Sequence, residues 1–373
     1  MVKTRTLFGV LLPLAVAAAV GGCSAGGRLV GLQPESLQLS SGPTGPSLSL
    51  AVDSGTLYAV FADRATTGLE MVTITAGSHL PDSAPASQLI DKVDVAPPLS
   101  PFFGEHVFTT GGGKMAVLYL DRETDTKNVL KLASRPLNAA QWDLDVLEPA
   151  GDPLALEPDS KGGFAAAWSS GLLSYREADG QVVPAFPPLP LRLEGRSGPD
   201  GRGGFSAYDG LASVLLWLRW NGTGFTAQPV PDGDPVSASL RSPSGRLSVI
   251  TYSPKARRLF LHQESEPSRT FSTVTVTVCD GTSGVAILPG ASDSSFLFLF
   301  DETRTVGAGR TVYQLSLIAP GSLLGARGAR YRKAALASGD LRIDGFAAAR
   351  TADALYVLVS QGSLRLLRIP LSP

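Results

Sequence analysis

The sequence has few of the residues that build disulfide frameworks and metal sites. Its 373 residues include only two cysteines and three histidines. None of the histidines, His79, His106 and His262, has a second histidine or a cysteine at the i+2 or i+4 spacing of a zinc site. We therefore predict no metal and no cofactor, and no framework of disulfides.

Charge and helical periodicity are also scarce. Charged residues make up 17% of the chain and the net charge is −1, so nothing attracts the whole molecule to nucleic acid. No stretch repeats apolar residues at i, i+3, i+4 and i+7 over three turns, which argues against helices. The 43% of hydrophobic residues is nevertheless enough for a large core and argues against disorder.

The N-terminus has the pattern of an export signal. Lys3 and Arg5 precede an apolar run, Leu7–Val20, and the run ends in Val20-Gly21-Gly22-Cys23. This ending resembles a bacterial lipobox, which implies cleavage before Cys23 and attachment of lipid to its thiol. The alternative is an uncleaved membrane anchor, although the apolar run is short against the ~20 residues that a span needs.

The lipobox resemblance sets the predicted domains and localisation. Residues 1–22 would be a lipoprotein signal peptide, residues 23–34 a lipidated cysteine with a flexible Gly-rich tether, and residues 35–373 a single folded domain. The partner of Cys23 would be the lipid bilayer. Ser24 resembles the residue that sorts lipoproteins to the outer membrane in Gram-negative bacteria; elsewhere the protein would sit on the outer face of the cell membrane.

One local pattern recurs along the chain, namely a polar turn followed by an apolar strand of about six residues. The spacing between copies is roughly 40–60 residues, as expected for the blades of a β-propeller. The seven copies are Thr56–Phe61, Lys114–Leu120, Gly163–Trp168, Gly204–Tyr208, Arg246–Tyr252, Ser295–Phe300 and Ala354–Val359. We predict an all-β propeller of about seven blades, with each copy as a second strand; six or eight blades, a β-sandwich pair and a β-helix are the alternatives.

The ends of the chain predict how the ring closes. After Ala354–Val359 there is room for one more strand, Ser363–Ile369, so the last blade lacks its outermost strand. The segment Glu35–Ser40 precedes the first inner strand and has no other evident role. We expect it to pair beside Ser363–Ile369, because such pairing closes the ring and covers an exposed edge.

Charged residues follow several of the predicted second strands. We expect the turns to begin there, which places these side chains together on one rim of the ring. A polar rim of this kind could bind a cation or sugar hydroxyls, but an Asp that begins a turn also binds backbone N–H groups two residues on. The candidate residues are Asp63, Arg64, Asp121, Arg122, Asp209, Asp301 and Arg304.

A second candidate surface is a basic patch near the C-terminus. Arg327, Arg330, Arg332 and Lys333 cluster in a Gly-rich stretch. From Thr303 onward the chain has ten Arg or Lys and three Asp residues. Such a patch could attract anionic lipid head groups, polysaccharide or an acidic partner, or it could be a solvated loop.

The turn after the first inner strand resembles the repeats of sialidase-like and BNR-repeat propellers. Val52–Tyr58 has the pattern apolar–Asp–x–Gly–x–Leu–Tyr, although its Asp53-Ser54-Gly55 turn lacks the Ser and Trp of a complete Asp-box. The resemblance implies a propeller and a possible glycan substrate. Sialidase chemistry also needs an arginine triad, a Tyr–Glu pair and an acid, and no motif in this sequence anchors them, so no catalytic residue is assigned.

Two functions follow from these patterns. The first is an exported, membrane-anchored lipoprotein whose propeller is a non-catalytic binding or scaffold module in the cell envelope, with an envelope protein or a glycan as partner. The second is a glycoside hydrolase of the sialidase-like kind, or a lyase, acting on envelope or extracellular glycans. A Gly-x-Ser-x-Gly elbow and a P-loop are both absent from the sequence, so neither a serine hydrolase nor a nucleotide-binding enzyme is indicated.

Overall fold

The computed structural model consists of antiparallel β-strands that pair into seven sheets of four strands each. No α-helix occurs among the residues that it describes. The described residues are 34–93, 105–124, 127–158, 163–169, 173–176, 182–184, 193–199, 204–221, 224–231, 235–242, 244–265, 270–290, 292, 295–306, 309–320, 322 and 331–371.

Each sheet is one blade, and we number the blades in chain order. The inner strands, which begin the blades, are β2 (Thr44–Asp53), β6 (His106–Gly111), β10 (Asp152–Pro158), β14 (Leu193–Pro199), β18 (Ser237–Arg241), β22 (Val285–Pro289) and β26 (Gly345–Arg350). The second strands are β3 (Thr56–Asp63), β7 (Lys114–Thr124), β11 (Phe164–Ser169), β15 (Gly204–Asp209), β19 (Leu247–Ser253), β23 (Phe296–Val306) and β27 (Ala354–Ser360).

The outer half of each blade follows the same order. The third strands are β4 (Gly68–Thr75), β8 (Lys127–Pro136), β12 (Leu173–Arg176), β16 (Val214–Trp220), β20 (Arg258–Ser265), β24 (Arg310–Pro320) and β28 (Leu364–Pro370). The fourth strands are β5 (Gln88–Lys92), β9 (Asp143–Leu147), β13 (Val182–Pro184), β17 (Phe225–Val230), β21 (Thr270–Val278), β25 (Tyr331–Gly339) and, for blade 7, β1 (Glu35–Ser40).

The inner strands of successive blades are neighbours, and β26 is in turn a neighbour of β2, so the blades form a closed ring. All strand pairs are antiparallel, and therefore every inner strand begins on the same face of the ring. We call this side the start face and the opposite side the far face. Turns between second and third strands lie on the start face, and turns between inner and second strands lie on the far face.

The core lies between the blades. Each of the seven apolar clusters joins two adjacent blades, and one cluster fills each of the seven junctions. The second strands supply much of it because both of their faces are covered; in β27 every residue is buried. This double burial explains why the second strands have continuous apolar sequences instead of alternating ones.

Ring closure by the N-terminal strand is confirmed. β1 pairs antiparallel with β28, and Glu35 lies opposite Arg368 while Leu37 lies opposite Leu366. Leu37 is 5% exposed and belongs to the cluster between blades 7 and 1. The strand therefore covers the outer edge of β28 and adds to the core of the closing junction.

All seven predicted second strands are second strands in the structure. The predicted turns at Asp121 and Asp301 are wrong, however, because β7 and β23, each 11 residues long, continue past them to Thr124 and Val306. Asp121 pairs with Val129 and Asp301 with Leu315. Beyond Asp301 the β-branched residues of Thr303–Val306 favour a longer hairpin over a turn.

Candidate functional site

A cavity of about 570 Å³ lies at the centre of the ring, toward the start face. The inner strands of blades 1, 2, 5, 6 and 7 line it, together with Pro153 of blade 3. Much of the wall is apolar or small, as in Ala347 and Ala348. Hydroxyl groups are distributed around the wall on Ser47, Ser49, Ser237, Ser239 and Ser283.

Charged side chains line the mouth of this cavity. Glu105 directly precedes β6, and Arg342 and Asp344 lie just before β26. Packing around its carboxyl group raises the pKa of Asp344, and the guanidinium groups of Arg342 and Arg64 oppose this rise. The mouth therefore carries both signs of charge within a largely apolar wall.

Two half-buried aromatic rings, those of Phe108 and Phe346, also line the cavity. The ring of Phe346 lies over the backbone of Gly284, where a Cβ would come within 3.1 Å of Cε1 of the ring. The centroid of the Phe108 ring is 6.4 Å from that of Tyr58. A ligand in the cavity would thus meet an aromatic surface from blade 2 and another from blade 7.

Asp63 and Asp209 lie at the start face, at the ends of β3 and β15, and each caps a turn. Asp63 Oδ1 accepts a hydrogen bond from the backbone N–H of Ala65 at 2.7 Å, and Asp209 Oδ1 accepts one from that of Leu211 at 3.0 Å. Asp63 Oδ2 also accepts the hydroxyl of Ser40 at 3.1 Å. The two bonds from backbone N–H groups are the local contacts by which Asp stabilises a turn, whereas the bond from Ser40 joins blade 7 to blade 1.

Asp301 lines the cavity but is engaged by the loop that precedes β22. Its Oδ1 accepts hydrogen bonds from Thr282 Oγ1, Ser283 N and Gly284 N at 2.6, 2.8 and 2.7 Å. Its Oδ2 accepts the hydroxyl of Ser283 at 2.5 Å. Asp301 therefore shapes the cavity wall by fixing this loop.

Asp121 lies in a partly buried ionic cluster between blades 1 and 2. Lys131 Nζ is 2.7 Å from Asp121 and 2.9 Å from Asp91, and Tyr119 donates a hydrogen bond to Asp91 at 2.8 Å. Burial opposes the lysine's charge, but the hydrogen bonds to Asp121 and Asp91 carry the pKa of Lys131 above its ordinary value. Burial, followed by the bond to Asp91, raises the pKa of Tyr119.

The predicted rim arginines have different surroundings. Arg64 is half-buried and close enough to Asp344 to affect its pKa. Arg304 is exposed on the long β23–β24 hairpin. The backbone of Arg122 belongs to β7, and its side chain lies outside the described residues. Of the rim set, the structure brings Asp301 into the cavity wall and Arg64 close to it.

The residues of the predicted basic patch have different surroundings. Arg332 is exposed near the start of β25, toward the far face. Lys333 is half-buried, forms an ion pair with Glu302 at 2.7 Å and has its Nζ 5.0 Å from the centroid of the Phe300 ring. Arg327 and Arg330 lie outside the described residues.

Other predicted sites are placed only in part. Cys23 and the apolar run before it lie outside the described residues. Within the described ranges, no helix has the length and apolarity to cross a membrane. The same part of the chain contains no group of three or more His, Cys, Asp and Glu side chains suited to a metal ion.

Neither protein-family models nor curated protein sequences give a match to this chain. Among solved structures it is similar to a catalytically inactive virginiamycin B lyase from Staphylococcus aureus with quinupristin, at 9% identity and a TM-score of 0.56, over 90% of this chain and 99% of that one. It is also similar to YCF48 bound to D1 peptide, at 12% identity and a TM-score of 0.54, over 92% and 96%.

A third similar structure is the WD40 domain of coronin from Toxoplasma gondii, at 10% identity and a TM-score of 0.51, over 91% of this chain and 86% of that one. Identities this low carry no information about chemistry. What the three structures share with this chain is the architecture, and the fold of the chain is therefore a β-propeller.

Proposed function

We propose that this chain is an exported, lipid-anchored propeller of the cell envelope that binds its ligand in the start-face cavity without catalysis. The observation that carries the proposal is the cavity itself, which combines two half-buried aromatic rings, a set of serine hydroxyls and both signs of charge at its mouth. A pocket with an apolar body and a few convergent polar groups is the usual form of a binding site.

The contacts of the predicted rim carboxylates favour a ligand in the cavity over a separate ion-binding site on the rim. Asp63 and Asp209 accept hydrogen bonds from their own turns, Asp301 accepts them from the loop before β22, and Asp121 is paired with Lys131. These carboxylates therefore act on the loops and junctions that surround the cavity. Similar propellers hold a peptide in one case and quinupristin in another, which is consistent with ligand binding by this architecture.

The anchor is tested by labelling with palmitate in the producing bacterium. Wild type and the Cys279→Ala variant should incorporate label and fractionate with membranes, whereas Cys23→Ala should lose the label. Unchanged labelling of Cys23→Ala would contradict lipidation at Cys23. In a Gram-negative host, Ser24 supports outer-membrane localisation, which separation of the two membranes would check.

The binding site is tested by placing a photo-crosslinking amino acid at Phe346 of the full chain. The control position is Leu211, which is 66% exposed on the start face but does not line the cavity. We expect a discrete adduct, identified by mass spectrometry, from position 346 and not from position 211. Identical adducts from both positions, or none from position 346, would contradict binding in the cavity.

The second candidate is a glycoside hydrolase of the sialidase-like kind or a lyase. One observation favours it: Glu105, His106 and Asp344 line the same cavity, and the raised pKa of Asp344 suits a general acid. Turnover of glycosides or acidic polysaccharides by the purified protein, with loss in Asp344→Asn, would favour this candidate. Binding that survives in Asp344→Asn without any turnover would favour the first.

A further inference from the structure

The path of the N-terminal segment is fixed by the order of strands in blade 7. β1 begins at the far face, where Glu35 lies opposite Arg368, and ends at the start face with Ser40. From there the chain continues into β2, which begins at the start face. The described chain therefore begins at the far face, opposite the mouth of the cavity.

Specific contacts hold this point of the chain in place. Glu35 accepts a hydrogen bond from the backbone N–H of Leu80 at 2.8 Å and lies 3.1 Å from His79 and 3.2 Å from Arg368. Arg368 Nε donates to the carbonyl oxygen of Gly77 at 2.8 Å. These bonds tie the first residue of β1 to the β4–β5 loop of blade 1.

The predicted tether is too short to pass easily around the ring. Residues 23–34 number 12, and a flexible Gly-rich chain of this length has an r.m.s. span of about 19 Å. The eight residues of β3 give a blade height of about 27 Å. Placing the start face against a membrane would require the tether to cover this height and part of the ring's width.

Basic side chains occupy the far face in blades 4, 5 and 6. Arg219 is exposed near the end of β16, Arg241 and Arg246 are half-buried on either side of the β18–β19 turn, and Arg332 is exposed near the start of β25. Glu264 is also at this end of blade 5, but it is buried.

The solvent-accessible acidic side chains that the structure describes on the far face lie in other blades. Asp53, Asp82 and Asp353 belong to blades 1 and 7, beside the point where the described chain begins, and Asp143 and Glu157 belong to blades 2 and 3. Among the described residues, the basic side of the far face is therefore in blades 4 to 6. We name the residues Arg219, Arg241, Arg246 and Arg332 the basic arc.

We infer that the far face is the membrane-facing side of the protein, that the basic arc contacts anionic lipid head groups, and that the cavity opens away from the bilayer. The inference rests on the membrane attachment in the proposed function, and it holds for an uncleaved N-terminal anchor as well as for lipid on Cys23. Anionic head groups fit the arc because basic residues near such a surface add to its attraction one by one.

The experiment uses the full lipidated chain in vesicles that mix phosphatidylcholine with phosphatidylglycerol. A fluorophore is attached through Ser244→Cys on the far face or Ala256→Cys on the start face, both exposed in blade 5. A quencher carried on the lipid head group reports proximity. We expect several-fold stronger quenching at position 244 than at position 256; equal quenching, or the reverse order, would overturn the orientation.

The contribution of the arc is tested in the Ser244→Cys background. Arg219→Gln and Arg332→Gln should each reduce lipid contact by about fivefold, and the effect should vanish in pure phosphatidylcholine. Lys255→Gln and Arg258→Gln, exposed at the start face of the same blade, are the matched controls. If arc and control variants behave alike, the arc does not bind lipid.

The palmitate experiment separates this inference from the proposed function. Loss of label in Cys23→Ala together with equal quenching on both faces would contradict the orientation and leave the anchor intact. If Cys23→Ala retains the label and the wild-type protein is not found in the membrane fraction, the anchor itself is contradicted.

Discussion

The two faces of the ring use the same chemistry for different purposes. At the start face, Asp63 and Asp209 accept backbone N–H groups two residues away, which stabilises single turns, and Asp63 also accepts the hydroxyl of Ser40 from blade 7. At the far face, Glu35 accepts the N–H of Leu80 and approaches Arg368, which joins the two ends of the folded chain. A bond to residues nearby in the chain shapes a turn, whereas a bond between blades 7 and 1 helps to keep the ring closed.

The largest effect is expected where the ring closes. Leu37→Ala empties a buried position in the junction of blades 7 and 1. A Leu-to-Ala change in a core costs about 3 kcal/mol, which lowers the Tm of a domain of this size by roughly 4 °C. Gln38→Ala, at an exposed position on the same strand, is the control and should change the Tm by about a degree or less. Calorimetry on both variants makes the comparison, and equal effects would refute a closing role for β1.

A smaller effect is expected when two carboxylates of the start face are replaced, and its size should differ between them. Asp301→Asn weakens four hydrogen bonds to Thr282, Ser283 and Gly284, at a cost of about 2–3 kcal/mol in unfolding free energy. Asp63→Asn can keep the bond to Ala65, because Asn forms the same turn, and should cost less than about 1 kcal/mol. Denaturant unfolding measures both variants, and a neutral Asp301→Asn would show that this loop does not depend on the carboxylate charge.

The smallest effect concerns pH at the far face. The hydrogen bond from Leu80 N–H, opposed by burial and aided by His79 and Arg368, holds the pKa of Glu35 below its ordinary value of 4.5. The stabilisation by Glu35 is therefore fully present above pH 4.5 and is lost as the pH falls through the lower pKa of the folded state.

Because Glu35 is partly exposed, solvent screening limits the contribution of its charge to the free energy of unfolding to less than about 1 kcal/mol. Tm measurements from neutral pH to pH 3 should show wild type and Glu35→Gln converging as the medium becomes acidic. A constant gap between the two proteins would mean that the charge of Glu35 does not strengthen the closure.

Much of the fold could be predicted because each blade repeats a local signal. Second strands are buried on both faces, so segments such as Thr56–Phe61 and Ala354–Val359 stand out as apolar runs between polar turns. The closing strand could be predicted by counting the strands of the last blade, because that blade lacked one. Where the turns begin was harder to predict, and Asp121 and Asp301 lie within strands because hairpin length depends on pairing with β8 and β24.

The cavity could not be predicted in the same way. Glu105, Asp344 and Phe346 come from blades 2 and 7 and meet only because the ring brings the inner strands to one axis. No short-range spacing encodes that meeting. One signal was available, because Arg342 and Asp344 directly precede the predicted inner strand Gly345–Ala349, a position that faces the cavity mouth in several blades.

The proposal that the far face contacts the membrane while the cavity binds a ligand is tested most directly by one pair of photo-crosslinking variants. Both are variants of the full chain in its own cells. The reactive amino acid replaces Phe346 in the cavity or Ser244 on the far face. The account predicts lipid adducts from position 244 and a ligand that is not lipid from position 346. Lipid adducts from position 346, or the same adducts from both positions, would contradict it.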